Sequence, residues 1–103
     1  MEDKTCIIIL NYNNYEDTIE CISSLKKVIP IEMIDIVVVD NNSKDDSVKM
    51  IEAKFQDIIM IKSKVNKGYA HGNNLGLDYA LKNGYRYTCI LNNDTIITKD
   101  FLK

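Results

Sequence analysis

Three times along this chain an apolar, β-branched run stops at asparagine or aspartate. Thr5-Cys-Ile-Ile-Ile-Leu10 ends at Asn11-Tyr12-Asn13. Ile34-Asp-Ile-Val-Val-Val39 ends at Asp40-Asn41-Asn42-Ser43, and Tyr87-Thr-Cys-Ile-Leu91 ends at Asn92-Asn93-Asp94. Short continuous apolar runs of this kind are strands buried on both faces, as in a parallel sheet covered by helices. Their polar ends set amides and carboxylates along the carboxyl edge of the sheet, where open α/β folds take their ligands. Three such ends on one rim make a site.

The segments between the runs read as helices. Asn14 caps the first, with Glu16 and Asp17 in its opening turn and Lys26 and Lys27 in its last, as the helix dipole favours. Ile19, Ile22, Leu25 and Ile29 give it one apolar stripe, and Pro30 ends it. Ser43 is a candidate cap for a second helix, with Asp45 and Asp46 behind it and Val48, Ile51 and Phe55 on the buried face. Ile58 to Ile61 is a short third strand. A loop from Lys62 to Lys67 leads to Gly68 and to a third helix over about Ala70 to Lys82, with Gly84 placed to close it. This alternation predicts right-handed crossovers and a Rossmann-like, three-layer α/β/α fold around a mostly parallel, four-stranded sheet.

At 103 residues the chain has room for one domain. A net charge of −2 without a Lys/Arg patch argues against nucleic acid as a partner. No apolar run approaches the ~20 residues that span a bilayer, and Met1-Glu-Asp-Lys4 lacks the order of a secretory signal. Cys6, Cys21 and Cys89 are odd in number and lie in apolar patterns, which fits buried thiols in a reducing cytoplasm.

Each strand end carries a possible chemistry beside a plainer reading. Tyr12 is able to lie flat on a nucleobase with Asn11 or Asn13 supplying amide hydrogen bonds, although asparagine is also common in exposed turns. Asp40, at the end of so apolar a strand, needs a partner to offset its desolvation. A base N–H or a ribose hydroxyl would serve, or Asp40 caps its own turn through the N–H of Asn42 or Ser43. Asn66-Lys-Gly-Tyr-Ala-His-Gly-Asn-Asn-Leu-Gly76 is a poor helix start, with three glycines and three asparagines in eleven residues. Such residues are tolerated where backbone approaches a ligand, yet the stretch is neither G-x-G-x-x-G nor a phosphate-binding loop ending in Gly-Lys-Ser/Thr. His71, the only histidine, is given no role. Asn92-Asn93-Asp94 has too few ligands for a closed Ca²⁺ cage but suits Mg²⁺ or Mn²⁺ shared with phosphate and water, or else a simple Asx turn.

Taken in order, Ile9-Leu-Asn-Tyr-Asn13, Val38-Val-Asp-Asn-Asn-Ser43, Asn66 to Gly76 and Leu91-Asn-Asn-Asp-Thr95 resemble the N-terminal, nucleotide-sugar-binding half of family 2 glycosyltransferases with the GT-A fold, in particular the rhamnosyltransferase-like branch. The resemblance implies that Tyr12 stacks near the base and that Asp40, with Asn11 and Asn42 beside it, meets base or ribose. It places Gly68 and Asn73 along the nucleotide. Asn92-Asn93-Asp94 stands where the family has its D-x-D motif, so Asp94 is implied as the ligand of a divalent metal, Mg²⁺ or Mn²⁺, on the donor diphosphate. Asn92 replaces the first acidic position, as that branch often has it, and puts the weight on Asp94. Asn73 stands where many relatives carry Arg before the helix Asn, so the choice between UDP- and dTDP-sugars does not carry over.

In the family the catalytic base lies well beyond the D-x-D motif, in the half that binds a glycan acceptor. Asp100 is too close to serve. The whole of 1–103 is therefore expected to be the donor-binding half, without the acceptor half, and inactive alone. The implied setting is polysaccharide or cell-wall biosynthesis, in the cytoplasm or at the inner membrane surface. With the acceptor half absent, an uncovered face is expected to drive homo-oligomerisation. A non-catalytic interaction module of the same fold is the alternative. A sugar-phosphate nucleotidyltransferase fits less well, because Asn11-Tyr-Asn-Asn-Tyr15 has neither the Gly nor the Arg that grips a triphosphate.

Overall fold

The computed structural model describes residues 4–96; Asp100 and the helix start expected around it lie outside that range. The elements run β1 (Thr5–Asn11), α1 (Tyr15–Val28), a short 3₁₀ turn (Ile31–Met33), β2 (Ile34–Asp40), α2 (Ser47–Lys54), β3 (Ile59–Lys62), α3 (Tyr69–Lys82) and β4 (Tyr87–Leu91). All pairings are parallel and the strand order is β3-β2-β1-β4. β1 is central, and the chain steps one way from it to β2 and β3 before crossing back to β4. The gap between β1 and β4 is thus the switch point of the sheet.

Side-chain alternation divides the core in two. Ile7, Ile9, Ile36 and Val38 pack under α1 and α2 with Cys21, Ile22, Leu25 and Ile51. Cys6, Ile8, Leu10, Val37 and Val39 face α3 through Ala80, Leu75 and Tyr79. Helices on both faces explain why β1 and β2 are apolar at successive positions.

Helix ends follow local chemistry. The Asn14 side chain accepts the Asp17 N–H at 3.4 Å, and α1 stops at Val28 with Ile29 extended ahead of Pro30. Gly84, at φ +76°, closes α3: its N–H donates to the Leu81 carbonyl at 3.2 Å and the Tyr85 N–H to that of Ala80 at 3.1 Å.

Three expectations change. The buried stripe of α1 is Thr18, Cys21, Ile22 and Leu25, with Ile19 only half-buried. The second helix begins at Ser47, not behind a Ser43 cap. The Ser43 hydroxyl is instead bonded to Asp40 at 2.6 Å, and Asn13 Oδ1 accepts across the rim from Lys44 at 2.7 Å and from Asp45, one of the N–H groups a Ser43 cap would serve, at 3.3 Å. Finally, Gly72 and Gly76 serve packing rather than a ligand. A Cβ at Gly72 would stand 2.4 Å from Leu10 Cδ1, and one at Gly76 2.6 Å from Ile8 Cγ2, so α3 lies directly on β1.

Candidate functional site

Parallel register sets Asn11 beside Asp40, so β1 and β2 end together. Asn11 is fully buried. Its Nδ2 donates to Asp40 Oδ1 at 3.0 Å and to Ser43 Oγ at 3.3 Å, while its Oδ1 accepts the Thr18 hydroxyl at 2.6 Å. Partners at both ends fix the amide in one orientation. Asp40 also accepts the Ser43 N–H at 2.9 Å and the Ser43 hydroxyl at 2.6 Å. These donors offset the desolvation of a carboxylate that is only 3% exposed. Capping of its own turn is therefore what Asp40 does in this structure.

The two turns are also tied to each other. Asn13 and Asn42 have left-handed backbones, at φ 50° and 63°, which asparagine tolerates better than most residues. Ser43 Oγ accepts the Asn13 N–H at 2.8 Å. The β1 and β2 turns thus move as one body.

The third corner follows β4. The Thr95 N–H donates to the Asn92 carbonyl at 3.1 Å, closing a turn around Asn93 and Asp94. Asn93 Nδ2 donates to Thr18 Oγ1 at 3.2 Å, and the Tyr69 hydroxyl, at the start of α3, bonds the side-chain oxygen of Asn92. Beneath them the Cys21 thiol contacts the Asn92 carbonyl at 3.9 Å. Burial, reinforced by the negative charge of nearby Asp94, pushes that thiol up to about 11. Asp94 is exposed and has no ion-pair partner among the described residues.

Between these corners lies a cleft of about 320 Å³, with Leu10 at its floor and Tyr12, Asn41, Asn66, Gly68, Tyr69 and Asn93 around it. Tyr12 is 44% exposed and offers a ring face to whatever enters. Gly68 sits at φ +95°, ψ −179°, a conformation essentially reserved to glycine, although a Cβ there would meet nothing within 4 Å. Its constraint is conformational, not spatial. Asn41 is the most informative member. Its Nδ2 donates to Asn66 Oδ1 at 2.9 Å and to the Gly68 carbonyl at 3.3 Å, but its Oδ1 is buried without any hydrogen-bond partner. An orphaned buried acceptor costs about 1–3 kcal/mol and is at rest only when a donor arrives.

Of the residues expected from sequence, Tyr12 and Gly68 line this cleft, and Asn92 joins it through Tyr69. Asn11 and Asp40 lie beneath it as its frame. Asn42 supplies the left-handed turn and Asp94 sits on the rim beside Asn93. Asn73, one turn into α3, is not among the lining residues, and its Oδ1 is likewise buried without a partner. Asn41, Asn66, Tyr69 and Asn93 belong to the polar stretches read from sequence without a role of their own there, and Thr18 lies outside those stretches. Thr18 had a signal, since a hydroxyl fell on the apolar side of a helix.

No group of three or more His, Cys, Asp or Glu side chains among the described residues is arranged to hold a metal. What the rim offers a cation is one exposed carboxylate, Asp94, in the turn that follows β4. That donor set fits Mg²⁺ or Mn²⁺ only if a ligand brings further oxygens. At the opposite edge of the sheet a hollow of about 380 Å³ is floored by isoleucines and rimmed by Lys4, Lys26, Asp35 and Asp57. Those four are already joined as Lys4–Asp35 and Lys26–Asp57 ion pairs.

The family model of glycosyl transferase family 2 matches residues 6–103. The chain belongs to that family. A curated relative of this family 2 chain is the low-salt glycan biosynthesis hexosyltransferase Agl10 of Haloferax volcanii, 35% identical over the whole of this chain and 32% of the relative. Among solved structures, Staphylococcus aureus TarS superposes at a TM-score of 0.82 with 24% identity, covering 96% of this chain and 30% of that one. A mannosyltransferase from Pyrobaculum calidifontis, solved with GDP-Man and Mn²⁺, gives a TM-score of 0.74 at 20% identity, over 97% of this chain and 30% of that one. TarS has also been solved with UDP and with UDP-GlcNAc. These likenesses establish the GT-A, Rossmann-like fold. The family 2 chain spans about a third of the relatives it matches.

Proposed function

We propose that this chain binds a nucleoside-diphosphate sugar together with a divalent cation, as the donor-binding part of an inverting glycosyltransferase. The observation that carries the reading is the cleft at the β1/β4 switch point, with an exposed tyrosine ring and the orphaned oxygen of Asn41. Tyr12 stacks on the base, and Asn41 Oδ1 accepts a ring N–H from it. Uracil, thymine and guanine carry such an N–H; cytosine and adenine do not. The relatives solved with UDP, UDP-GlcNAc and GDP-Man fit that division, and it agrees with a UDP- or dTDP-sugar as donor.

Asn11, Asp40, Ser43 and Asn42 hold the turn that presents Asn41. Gly68 and Asn66 close the cleft from the α3 side and hold the other end of the Asn41 amide. Asp94, with Asn93 beside it, would hold the cation. When bound, that cation offsets the charge that grows on the departing diphosphate.

Neither carboxylate of the site is left to act as a base toward an acceptor hydroxyl: Asp40 is buried and bonded, and Asp94 is committed to the cation. We accordingly place acceptor binding and the base on polypeptide outside these residues, and activity of the chain alone is expected to be negligible. A cytoplasmic protein acting near the inner membrane surface is the matching location. Calorimetry with UDP- and dTDP-sugars, with and without Mn²⁺, tests the reading. Metal-enhanced binding supports it, and folded protein that binds neither nucleotide refutes it. Asp94→Ala separates it from a non-catalytic interaction module, which would be indifferent to the change.

A further inference from the structure

The hydrogen bonds beneath the cleft run in one direction. Asn93 Nδ2 donates to Thr18 Oγ1 at 3.2 Å, the Thr18 hydroxyl donates to Asn11 Oδ1 at 2.6 Å, and Asn11 Nδ2 donates to Asp40 Oδ1 at 3.0 Å. Every donor points toward the Asp40 carboxylate, so each bond polarises the next and the anion fixes the sense of the whole file. Asn11, Thr18 and Asp40 are buried. The file joins the ends of β2, β1 and β4 through one residue of α1. Thr18 is its only member outside the strand ends, and it occupies a place on the buried stripe where an apolar residue would pack as well.

Its effect at the surface follows from the Asn93 amide. With Nδ2 drawn down to Thr18, the Asn93 side chain is pinned one residue before Asp94, inside the turn that the Thr95 N–H closes on the Asn92 carbonyl. The Asn92–Thr95 turn is also held at Asn92, by the exposed Tyr69 hydroxyl on its side chain and by the buried Cys21 thiol on its carbonyl. Thr18 is the buried tether of the Asn93 side chain.

We infer that Thr18 is a positioning residue for the metal-diphosphate end of the site, setting the Asn92–Thr95 turn, and with it the Asp94 carboxylate, through a hydrogen-bond file anchored on Asp40. The inference rests on the donor-binding reading above. It predicts a division of labour: the cleft wall around Tyr12 and Asn41 recognises the base without Thr18, while the cation-dependent part of the affinity requires its hydroxyl.

The test compares Thr18→Val, which keeps the shape and loses the hydroxyl, with Thr18→Ser, which keeps the hydroxyl. Binding of UDP is measured by calorimetry with and without Mn²⁺, and the electron paramagnetic resonance of bound Mn²⁺ is recorded in the ternary mixture. The ratio of UDP affinity with Mn²⁺ to that without should fall about tenfold or more in Thr18→Val, as when a residue that orients metal ligands is removed. UDP affinity without metal should fall by less than this ratio, since Asn11 keeps its bonds to Asp40 and Ser43, and Thr18→Ser should restore the ratio. Thr18→Ala, which also removes the hydroxyl, serves if Thr18→Val does not fold. Full Mn²⁺ enhancement in folded Thr18→Val or Thr18→Ala overturns the inference while leaving the donor site standing. Absence of Mn²⁺-enhanced binding in the unaltered protein overturns both.

Discussion

Gly76→Ala separates packing from ligand contact as the reason for the glycines in α3. An added Cβ would meet Ile8 Cγ2 at 2.6 Å, with Cδ1 at 3.1 Å and Cγ1 at 3.2 Å. Carbon pairs sit comfortably at about 3.5–4.0 Å, so the closest contact overlaps by roughly 1 Å. Ile8 is fully buried, β-branched and on the central strand, paired with β2 and β4, and has nowhere to retreat. Overpacking of this kind costs about 1–3 kcal/mol, while replacing a helical glycine by alanine returns about 1 kcal/mol. The expected net is a loss of up to about 2 kcal/mol, or as much as roughly 15 °C in Tm for a domain of this size. Urea unfolding followed by circular dichroism should show a lowered midpoint with an unchanged slope. Stabilisation by about 1 kcal/mol, as at an open helical site, would refute the reasoning. Gly72→Ala is the contrast: its neighbour at 2.4 Å is the tip of Leu10, a flexible side chain that also floors the cleft. That substitution should cost less stability and more nucleotide affinity.

Four further outcomes are expected. CDP should bind at least about tenfold more weakly than UDP, because it leaves Asn41 Oδ1 unpaired, and Asn41→Leu should remove most of that discrimination. Asp94→Ala should abolish the gain in affinity from Mn²⁺ while leaving metal-free UDP binding in place, read by the same titration. Burial pushes the thiols of Cys6 and Cys21 up from 9.0 to about 11, so the unfolded chain ionises first. Stability should be unaffected below pH 9 and fall between pH 9 and 11, by up to ~2–3 kcal/mol per thiol, as thermal melts across that range would show. Lastly, β4, read from its apolar run as a buried strand, is an edge strand among the described residues, with Tyr87 and Ile90 exposed and exposed Leu77 and Leu81 on α3. The isolated chain should self-associate at high concentration, and a clean monomer in sedimentation equilibrium would contradict that.

The fold could be read from residue order because its signals are local. β2 occupies the span Ile34–Asp40 that its apolar run indicates, and α1 starts at its Asn14 cap and ends before Pro30. Gly84 closes α3 through its own φ. The site was readable only in outline. Strand ends announce where polar groups gather, but which of them face the ligand is decided by contacts between segments far apart in the chain. Asp40 turned inward because Ser43 and Asn11 were both within reach, while its neighbour Asn41 lines the cleft and keeps a buried, unpaired oxygen. Ser43 failed as a helix cap for the same reason, since its hydroxyl is bonded to Asp40 and Asn13 holds the Asp45 N–H. Gly72 and Gly76 look like ligand-loop glycines in sequence, and only the closeness of α3 to β1 shows that they are packing residues.

The most direct test of the account is nuclear magnetic resonance of the labelled chain with UDP and trace Mn²⁺, mapping paramagnetic broadening onto the backbone. The account predicts broadening centred on Asn92 to Thr95 that requires UDP, with diamagnetic shifts from UDP alone at Tyr12, Asn41 and Gly68. Broadening centred instead on Asp35 and Asp57 at the opposite edge, or no UDP-dependent change at the three strand ends, would contradict it.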